Sequence, residues 1–178
     1  LVEREGAAEW EAAPNLDPLF MPKTIAVAGA SATSISMGNT FLRRLKEFGY
    51  QGTVYPIHPK AEEINGLKAY ASFADTPEPI DYAYISIAAG RVPPMLAAAK
   101  GRVKFAQVLS SGFAEVPEGV ALQDELVAAA KEGGSRLIGP NCLGTYSPRG
   151  GVTFPERATN EPGVVGVISQ SGGLATDI

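Results

Sequence analysis

The amino-acid sequence predicts an α/β fold built on a doubly wound parallel sheet. Three observations predict it. Short apolar runs alternate with segments of helical periodicity. The runs Thr24–Ala28, Tyr82–Ile87 and Phe105–Leu109 are almost continuously apolar, as strands buried on both faces must be. Glycines stand just past the ends of the helical segments, where a helix commonly stops in a left-handed residue. Strands and helices in repeated alternation form right-handed βαβ units, which place helices on both faces of one sheet.

Each element follows in order. Residues 1–19 read as a polar, Ala- and Glu-rich arm containing Pro14 and Pro18, with Trp10 expected to pack back onto the domain. The expected strands are Thr24–Ala28, Thr53–Ile57, Tyr82–Ile87, Phe105–Leu109 and Arg136–Ile138. The expected helices are Gly38–Phe48, Val92–Lys100 and Gly119–Glu132, with Gly49, Gly101 and Gly133 as their C-terminal caps. Pro93 and Pro94 suit a first helical turn, where a missing N–H costs little. The third helix carries Val120, Leu122, Leu126, Val127 and Ala130 on one stripe. Residues 147–162, rich in Pro, Gly and polar side chains, read as a linker after a domain spanning 20–146. Val164–Ile168 then reads as a new strand and SQSGGLATDI as a turn opening a helix, so 163–178 is expected to begin a second α/β domain, truncated or disordered here.

Composition excludes several classes of function. The chain has 178 residues, 45% hydrophobic and 19% charged, which is ordinary for a globular protein. Fifteen Lys and Arg against nineteen Asp and Glu give a net charge of −4, so nothing electrostatic favours nucleic acid or an anionic membrane. No apolar run approaches the roughly 20 residues that span a bilayer. The acidic start LVEREGAAEWEAAP lacks the basic-then-apolar pattern of a signal peptide. A single cysteine permits no internal disulfide, and a reducing cytoplasmic setting is the expectation.

Six turns fall where strands end. The first, Gly29-Ala30-Ser31 through Gly38, follows a strand and opens a helix, whose outward N–H groups attract phosphate. Its spacing is not G-x-G-x-x-G, and an ordinary strand-to-helix turn has the same signature. The second, His58-Pro59-Lys60, puts a cation where an NAD site carries Asp or Glu for the ribose hydroxyl. An ammonium there favours a ligand with an extra phosphate, such as coenzyme A, although a solvated surface lysine is the simpler reading. His58, the sole histidine, has no metal-ligand partner by spacing and reads as a turn residue.

The third turn, Ile87-Ala88-Ala89-Gly90, is small enough to let an elongated ligand cross the strand ends. The fourth, Ser110-Ser111-Gly112-Phe113-Ala114-Glu115, offers hydroxyls at the carboxyl edge, with Glu115 read as a cap of the following helix rather than a general base. The fifth, Gly139-Pro140-Asn141-Cys142-Leu143-Gly144, carries a cysteine with no histidine base within reach in sequence, so a small buried thiol is expected, with Asn141 fixing the loop. The sixth, Ser169-Gln170-Ser171-Gly172-Gly173, is another anion-suited turn or a plain one. No metal site and no catalytic residue is expected.

Seven segments, in order and spacing, closely resemble the NDP-forming acyl-CoA synthetases and, more distantly, the α-subunit of succinyl-CoA synthetase. They are LFMPKTIAVAGAS, Gly38, GYQGTVYPIHPK, residues 87–90, SSGFAE, RLIGPNCLG and GVISQSGG. The resemblance implies a CoA-binding Rossmann-like domain over 20–146 and the start of a flavodoxin-like second domain. It implies that Gly29, Ala30, Ser31 and Gly38 line a CoA phosphate loop and that Pro59 and Lys60 face the nucleotide end. Ile87, Ala88, Ala89, Ser110, Ser111 and Gly112 would follow the cofactor toward its pantetheine arm, and Asn141 would shape the thiol end. Ser169, Ser171, Gly172 and Gly173 would hold phosphate beside a phosphorylated histidine that this chain lacks.

The implied partners are CoA, a small carboxylic acid, an ATP-grasp domain or subunit, and a homo- or hetero-oligomer. ATP or ADP and Mg2+ are expected only in a full-length enzyme. Two alternatives stand beside this reading: a CoA-sensing module attached to an acyltransferase, and an NADP-dependent oxidoreductase, for which no Tyr-x-x-x-Lys pair is recognisable.

Overall fold

In the computed structural model, described for residues 14–156 and 158–176, five parallel strands form one sheet. Trp10 lies outside the described residues. The elements are α1 (Asp17–Phe20), β1 (Thr24–Ala28), α2 (Met37–Phe48), β2 (Thr53–Ile57), β3 (Glu63–Ile64), β4 (Leu67–Lys68), β5 (Ile80–Ile85), α3 (Val92–Ala97), β6 (Val103–Val108), α4 (Val120–Glu132), β7 (Arg136–Ile138) and α5 (Gly172–Ala175). The sheet order is β2-β1-β5-β6-β7, and β3 with β4 forms a separate antiparallel pair. The chain therefore builds outward from β1 to β2, then returns to the other side of β1 with β5. That reversal is the topological switch point, where open α/β sheets bind ligands outside the strand carboxyl ends.

Alternation along the buried strands divides the core into two layers. Ile25 and Val27 of β1 pack with Phe41, Leu42 and Leu45 of α2 and with Tyr82, Tyr84 and Phe105. Ala26 and Ala28 face the other side, with Leu96 of α3 and Leu126, Ala129 and Ala130 of α4. Truncating a fully buried residue such as Leu126 to Ala costs about 2–5 kcal/mol. The small residues on the second face let α3 and α4 approach closely. A Cβ at Gly133, beside α4, would overlap the Leu96 carbonyl oxygen.

Five strands and the helices α2, α3 and α4 match the sequence expectation, with shifts at their ends. β5 starts and stops two residues early, and β6 starts two residues early and stops one early, which frees Ser86–Ala88 and Leu109–Ser111 as loops. The α4 stripe is narrower than the periodicity predicts: Leu126, Ala129 and Ala130 are buried, whereas Val120 and Val127 are exposed. Gly49 ends α2 in the left-handed region, as predicted. At α4 Gly133 is still right-handed and Gly134 takes the positive φ; α3 stops at Ala97, before Lys100 and Gly101, which both have positive φ.

The hairpin β3–β4 and the short helix α1 were not foreseen. The hairpin signal was the Asn65-Gly66 pair, whose positive φ angles of 53° and 79° suit a tight two-residue turn. The first part of the stretch read as a linker joins the core. Val152 is fully buried, Phe154 stacks on Tyr84 with centroids 6.0 Å apart, and Tyr84 stacks on Phe41 at 4.1 Å. Arg44 of α2, nearly buried, holds this strap through Glu156 at 2.7 Å. Val164–Ile168 is not a strand: Val164 and Ile168 are fully exposed, and no strand pairs with them among the described residues. No described helix is long and apolar enough to cross a membrane.

Candidate cofactor site

The loops after β1, β5 and β6 converge on the switch point. A shallow cleft of about 390 Å³ is lined there by Met37, Ser86, Ile87, Ala88, Ala89, Leu109, Ser110 and Ser111. Its lining mixes small and apolar side chains with three serines, and it is open enough for an elongated chain to lie in it. Ser86 donates its hydroxyl to the Ala28 carbonyl at 3.2 Å, and Ser110 donates to the Ile87 carbonyl, so these side chains tie neighbouring strand ends together. Gly112 sits next to the Ala89 methyl. Asn141 reaches the rim through its backbone, its N–H donating to the Ser110 carbonyl at 3.0 Å; its side chain is exposed. Gln107, fully buried beneath, donates to the Cys142 carbonyl and supports the same loop.

The glycine loop forms the wall behind the cleft. Gly29 has φ 105°, and a Cβ there would overlap the Ser86 carbonyl oxygen. Gly38 meets the loop from the helix side: a Cβ would overlap the Ala30 nitrogen and crowd the Gly29 carbonyl carbon. Both positions therefore need glycine for close approach of backbones. Ser36 caps α2, accepting from the Asn39 N–H at 3.2 Å. Ser31 folds the loop rather than facing outward. Its N–H donates to Asn39 at 2.9 Å, and its hydroxyl oxygen accepts the N–H groups of Thr33 and Ser34 at 3.2 and 3.1 Å. The N–H groups of Ala32, Ile35, Met37 and Gly38 have no protein acceptor among the described residues. Two of these, Met37 and Gly38, open the twelve-residue α2, and free N–H groups at a helix start suit an anion.

Pro59 and Lys60 are exposed at the end of β2, to one side of the cleft. His58 shapes their turn: its Nδ1 accepts the N–H groups of Lys60 at 3.1 Å and Ala61 at 2.9 Å. That ring nitrogen is therefore an acceptor in a structural turn.

Two sequence expectations are corrected here. Glu115 does not cap the following helix. Its carboxylate accepts the N–H groups of Gly112 and of Phe113, the latter at 3.0 Å, and so closes its own turn. These bonds, Gly112 first, hold its pKa below the usual carboxylate value, the wrong direction for a general base at neutral pH. Cys142 is half-buried rather than buried, and no imidazole reaches it.

The Ser169–Gly173 turn lies outside the cleft. Gly172 packs against Leu143 of the Asn141 loop, and Ser171 caps the four-residue α5, accepting from Leu174 N–H at 3.3 Å. Among the described residues no cluster of His, Cys, Asp and Glu could hold a metal ion. The sequence reading missed Met37, Ser86 and Leu109 in the cleft and Asn39 behind it. Only Met37 and Asn39 carried a signal, as the immediate neighbours of Gly38.

A helix start with free N–H groups, a shallow cleft beside it and an exposed lysine at the end of the neighbouring strand are compatible with a ligand that has phosphates at one end and a slender arm at the other. A model of the CoA-binding domain family matches residues 23–148. The chain belongs to that family. It is similar to the ADP-forming acetate–CoA ligase II of Archaeoglobus fulgidus, 38% identical over an alignment of 173 residues that covers 93% of this chain and 26% of the relative. The α-subunit of acetate–CoA ligase I of Pyrococcus furiosus is 40% identical over 169 residues, covering 90% of this chain and 36% of that subunit.

Among solved structures, acetyl-coenzyme A synthetase 1 of Ca. Korarchaeum cryptofilum, in complex with phosphate and ADP, aligns with a TM-score of 0.77 at 38% identity, over 92% of this chain and 35% of that one. A Pyrococcus horikoshii protein aligns with a TM-score of 0.81 at 40% identity, over 91% and 38%. The chain thus corresponds to the CoA-binding part of ADP-forming acyl-CoA synthetases and spans about a quarter to a third of the length of these relatives.

Proposed function

We propose that this chain holds and orients CoA for an ADP-forming acyl-CoA synthetase, the whole enzyme converting acid, CoA and ATP into acyl-CoA, ADP and phosphate. The observation that carries the reading is the cleft at the β1–β5 switch point, with N–H groups behind it that have no protein acceptor among the described residues. Binding and positioning are the contribution of these residues, and such positioning supplies a large share of catalysis. The open N–H groups around Gly38 take the pyrophosphate, Lys60 the ribose phosphate, and the Ala88–Ala89 and Ser110–Gly112 loops the pantetheine arm.

The phosphorylated histidine belongs elsewhere, since His58 is committed to its turn. So do the ATP-grasp unit that binds ATP and Mg2+, and the pocket for the small carboxylic acid. In this reading Val164–Ile168 becomes a strand, and Ser169–Gly173 a phosphate turn, of a second domain. The oligomeric enzyme works in the cytoplasm.

Calorimetry with CoA, dephospho-CoA and NADPH tests the proposal. Micromolar CoA binding is expected, and NADPH binding without CoA binding refutes it. Lys60→Ala is expected to weaken CoA about fivefold, near the 1 kcal/mol worth of an exposed charge pair, and to leave dephospho-CoA unchanged. Equal losses for both ligands remove Lys60 from the ribose phosphate.

A further inference from the structure

The glycine loop is braced by one side chain that none of the expected contacts includes. Asn39, at the third position of α2, brackets Ser31 from both sides. Its Oδ1 accepts the Ser31 N–H at 2.9 Å, and its Nδ2 donates to the Ser31 carbonyl at 2.9 Å. These backbone groups fix which amide atom is oxygen. The second Nδ2 proton goes to Oδ1 of Asn65 at 3.2 Å, in the β3–β4 hairpin. Oδ1 also lies 2.6 Å from the Ser36 hydroxyl, which is 2.7 Å from the Gly29 carbonyl; its one proton serves either. A carboxamide has two donors and two lone pairs; here both donors and one lone pair have partners, and the other lone pair faces the Ser36 hydroxyl. Three pieces distant in sequence — loop, helix start and hairpin — therefore meet on one half-buried side chain.

We infer that Asn39 is the positioning residue of the phosphate loop, and that the β3–β4 hairpin braces it through Asn65. The inference rests on the CoA reading above. Asn39 itself offers the ligand nothing, since its groups are all engaged. It holds Ser31 turned inward, and the N–H groups of Ala32, Ile35, Met37 and Gly38 stand without a protein acceptor among the described residues before any phosphate arrives. A loop ordered in advance does not lose that freedom on binding. Because the loop serves the pyrophosphate, which CoA and dephospho-CoA share, its loosening weakens both ligands alike. Lys60 differs, since it acts on the ribose phosphate alone.

Three variants of the chain test this, with CoA and dephospho-CoA affinities measured by calorimetry and melting followed by circular dichroism. Asn39→Ala is expected to lose about tenfold for both ligands, their ratio staying at the wild-type value. Asn39→Asp keeps the Oδ1 acceptor but sets its second carboxylate oxygen against the Ser31 carbonyl and Asn65 Oδ1, so its melting temperature is expected to fall below the wild-type value. Its affinity is expected to fall further than that of Asn39→Ala, with the excess loss screened by salt. A merely structural role gives no excess loss that salt restores.

Asn65→Gly removes only the hairpin acceptor at a position of positive φ, where glycine fits, and is expected to lose about two- to threefold for both ligands. The inference is overturned if Asn39→Asp binds as tightly as wild type, if the losses fall on CoA alone, or if Asn65→Gly is indistinguishable from wild type. The last arm decides the matter should Asn39→Ala fail to fold. Wild-type protein that binds neither ligand refutes the CoA reading itself, a separate outcome.

Discussion

Two turns of the same composition end differently. Gly29–Gly38 and Ser169–Gly173 both mix Gly with Ser after an apolar run and before a helix start. The first stands on β1, hydrogen-bonded to β2 on one side and β5 on the other, and opens a helix of twelve residues. The second follows an exposed run from Val164 to Ile168 and opens a helix of four. Local chemistry is nearly the same in both, down to a serine cap. The difference lies in long-range partners. A parallel strand has no neighbour that a short turn can supply, because its crossover needs a dozen residues or more. A phosphate turn is therefore only as well formed as the sheet beneath it.

The largest effect should come from supplying the missing sheet. In a chain continued into the domain proposed to follow, the amides of Val164–Ile168 are expected to exchange on the order of a thousandfold more slowly than in the 178-residue chain, the span between open and core-protected segments. Hydrogen exchange read by mass spectrometry measures this directly. Equally fast exchange in both chains breaks the comparison, because the second turn then has no sheet to join.

Glycine substitutions sharpen it at smaller cost. Gly38→Val drives a branched side chain into backbone atoms of Ala30 and Gly29, which cannot step aside. It is expected to destabilise the domain by about 1–3 kcal/mol and to abolish CoA binding. Gly173→Ala meets nothing within 4 Å and lies in a helix, so the melting temperature should hold or rise slightly. Thermal melts of the two variants give the contrast. A tolerated Gly38→Val would mean that helix and loop need not touch.

The same contrast shows what the sequence makes legible. β1, β2 and β7 were readable to the residue because apolar runs bounded by turn residues have one plausible end. The cleft was legible as loops: Ile87, Ala88, Ala89, Ser110 and Ser111 come together because each follows a strand of one sheet. Their hydroxyls were not, since Ser110 turns to the Ile87 carbonyl, a partner 23 positions away. The role of Asn39 was hidden for the same reason, its partners lying 8 and 26 positions off. Val164–Ile168 has no strand beside it among the described residues. Its strand propensity is genuine, but propensity needs a pleated neighbour before it becomes structure.

The smallest effect separates the turns by pH. The Ser110–Phe113 turn is closed by a titrating group, Glu115, whereas the Ser171 turn is closed by a hydroxyl that does not titrate. Glu115 has a folded pKa below its ordinary value of about 4.3. Its contribution to the turn is therefore complete above that ordinary value and is lost as pH falls through the lower folded pKa. Acid protonates the carboxylate, weakens its hold on the Gly112 and Phe113 N–H groups, and loosens the rim of the cleft. In amide spectra these two signals should shift together with a midpoint below the ordinary glutamate value, while Leu174 stays flat over the same range. Glu115→Gln should move both signals at neutral pH and remove the titration. A midpoint at or above the ordinary value would mean that the carboxylate is solvated and that the turn holds itself. Between pH 6 and 8 the carboxylate stays charged, so this turn gives CoA affinity no pH dependence there.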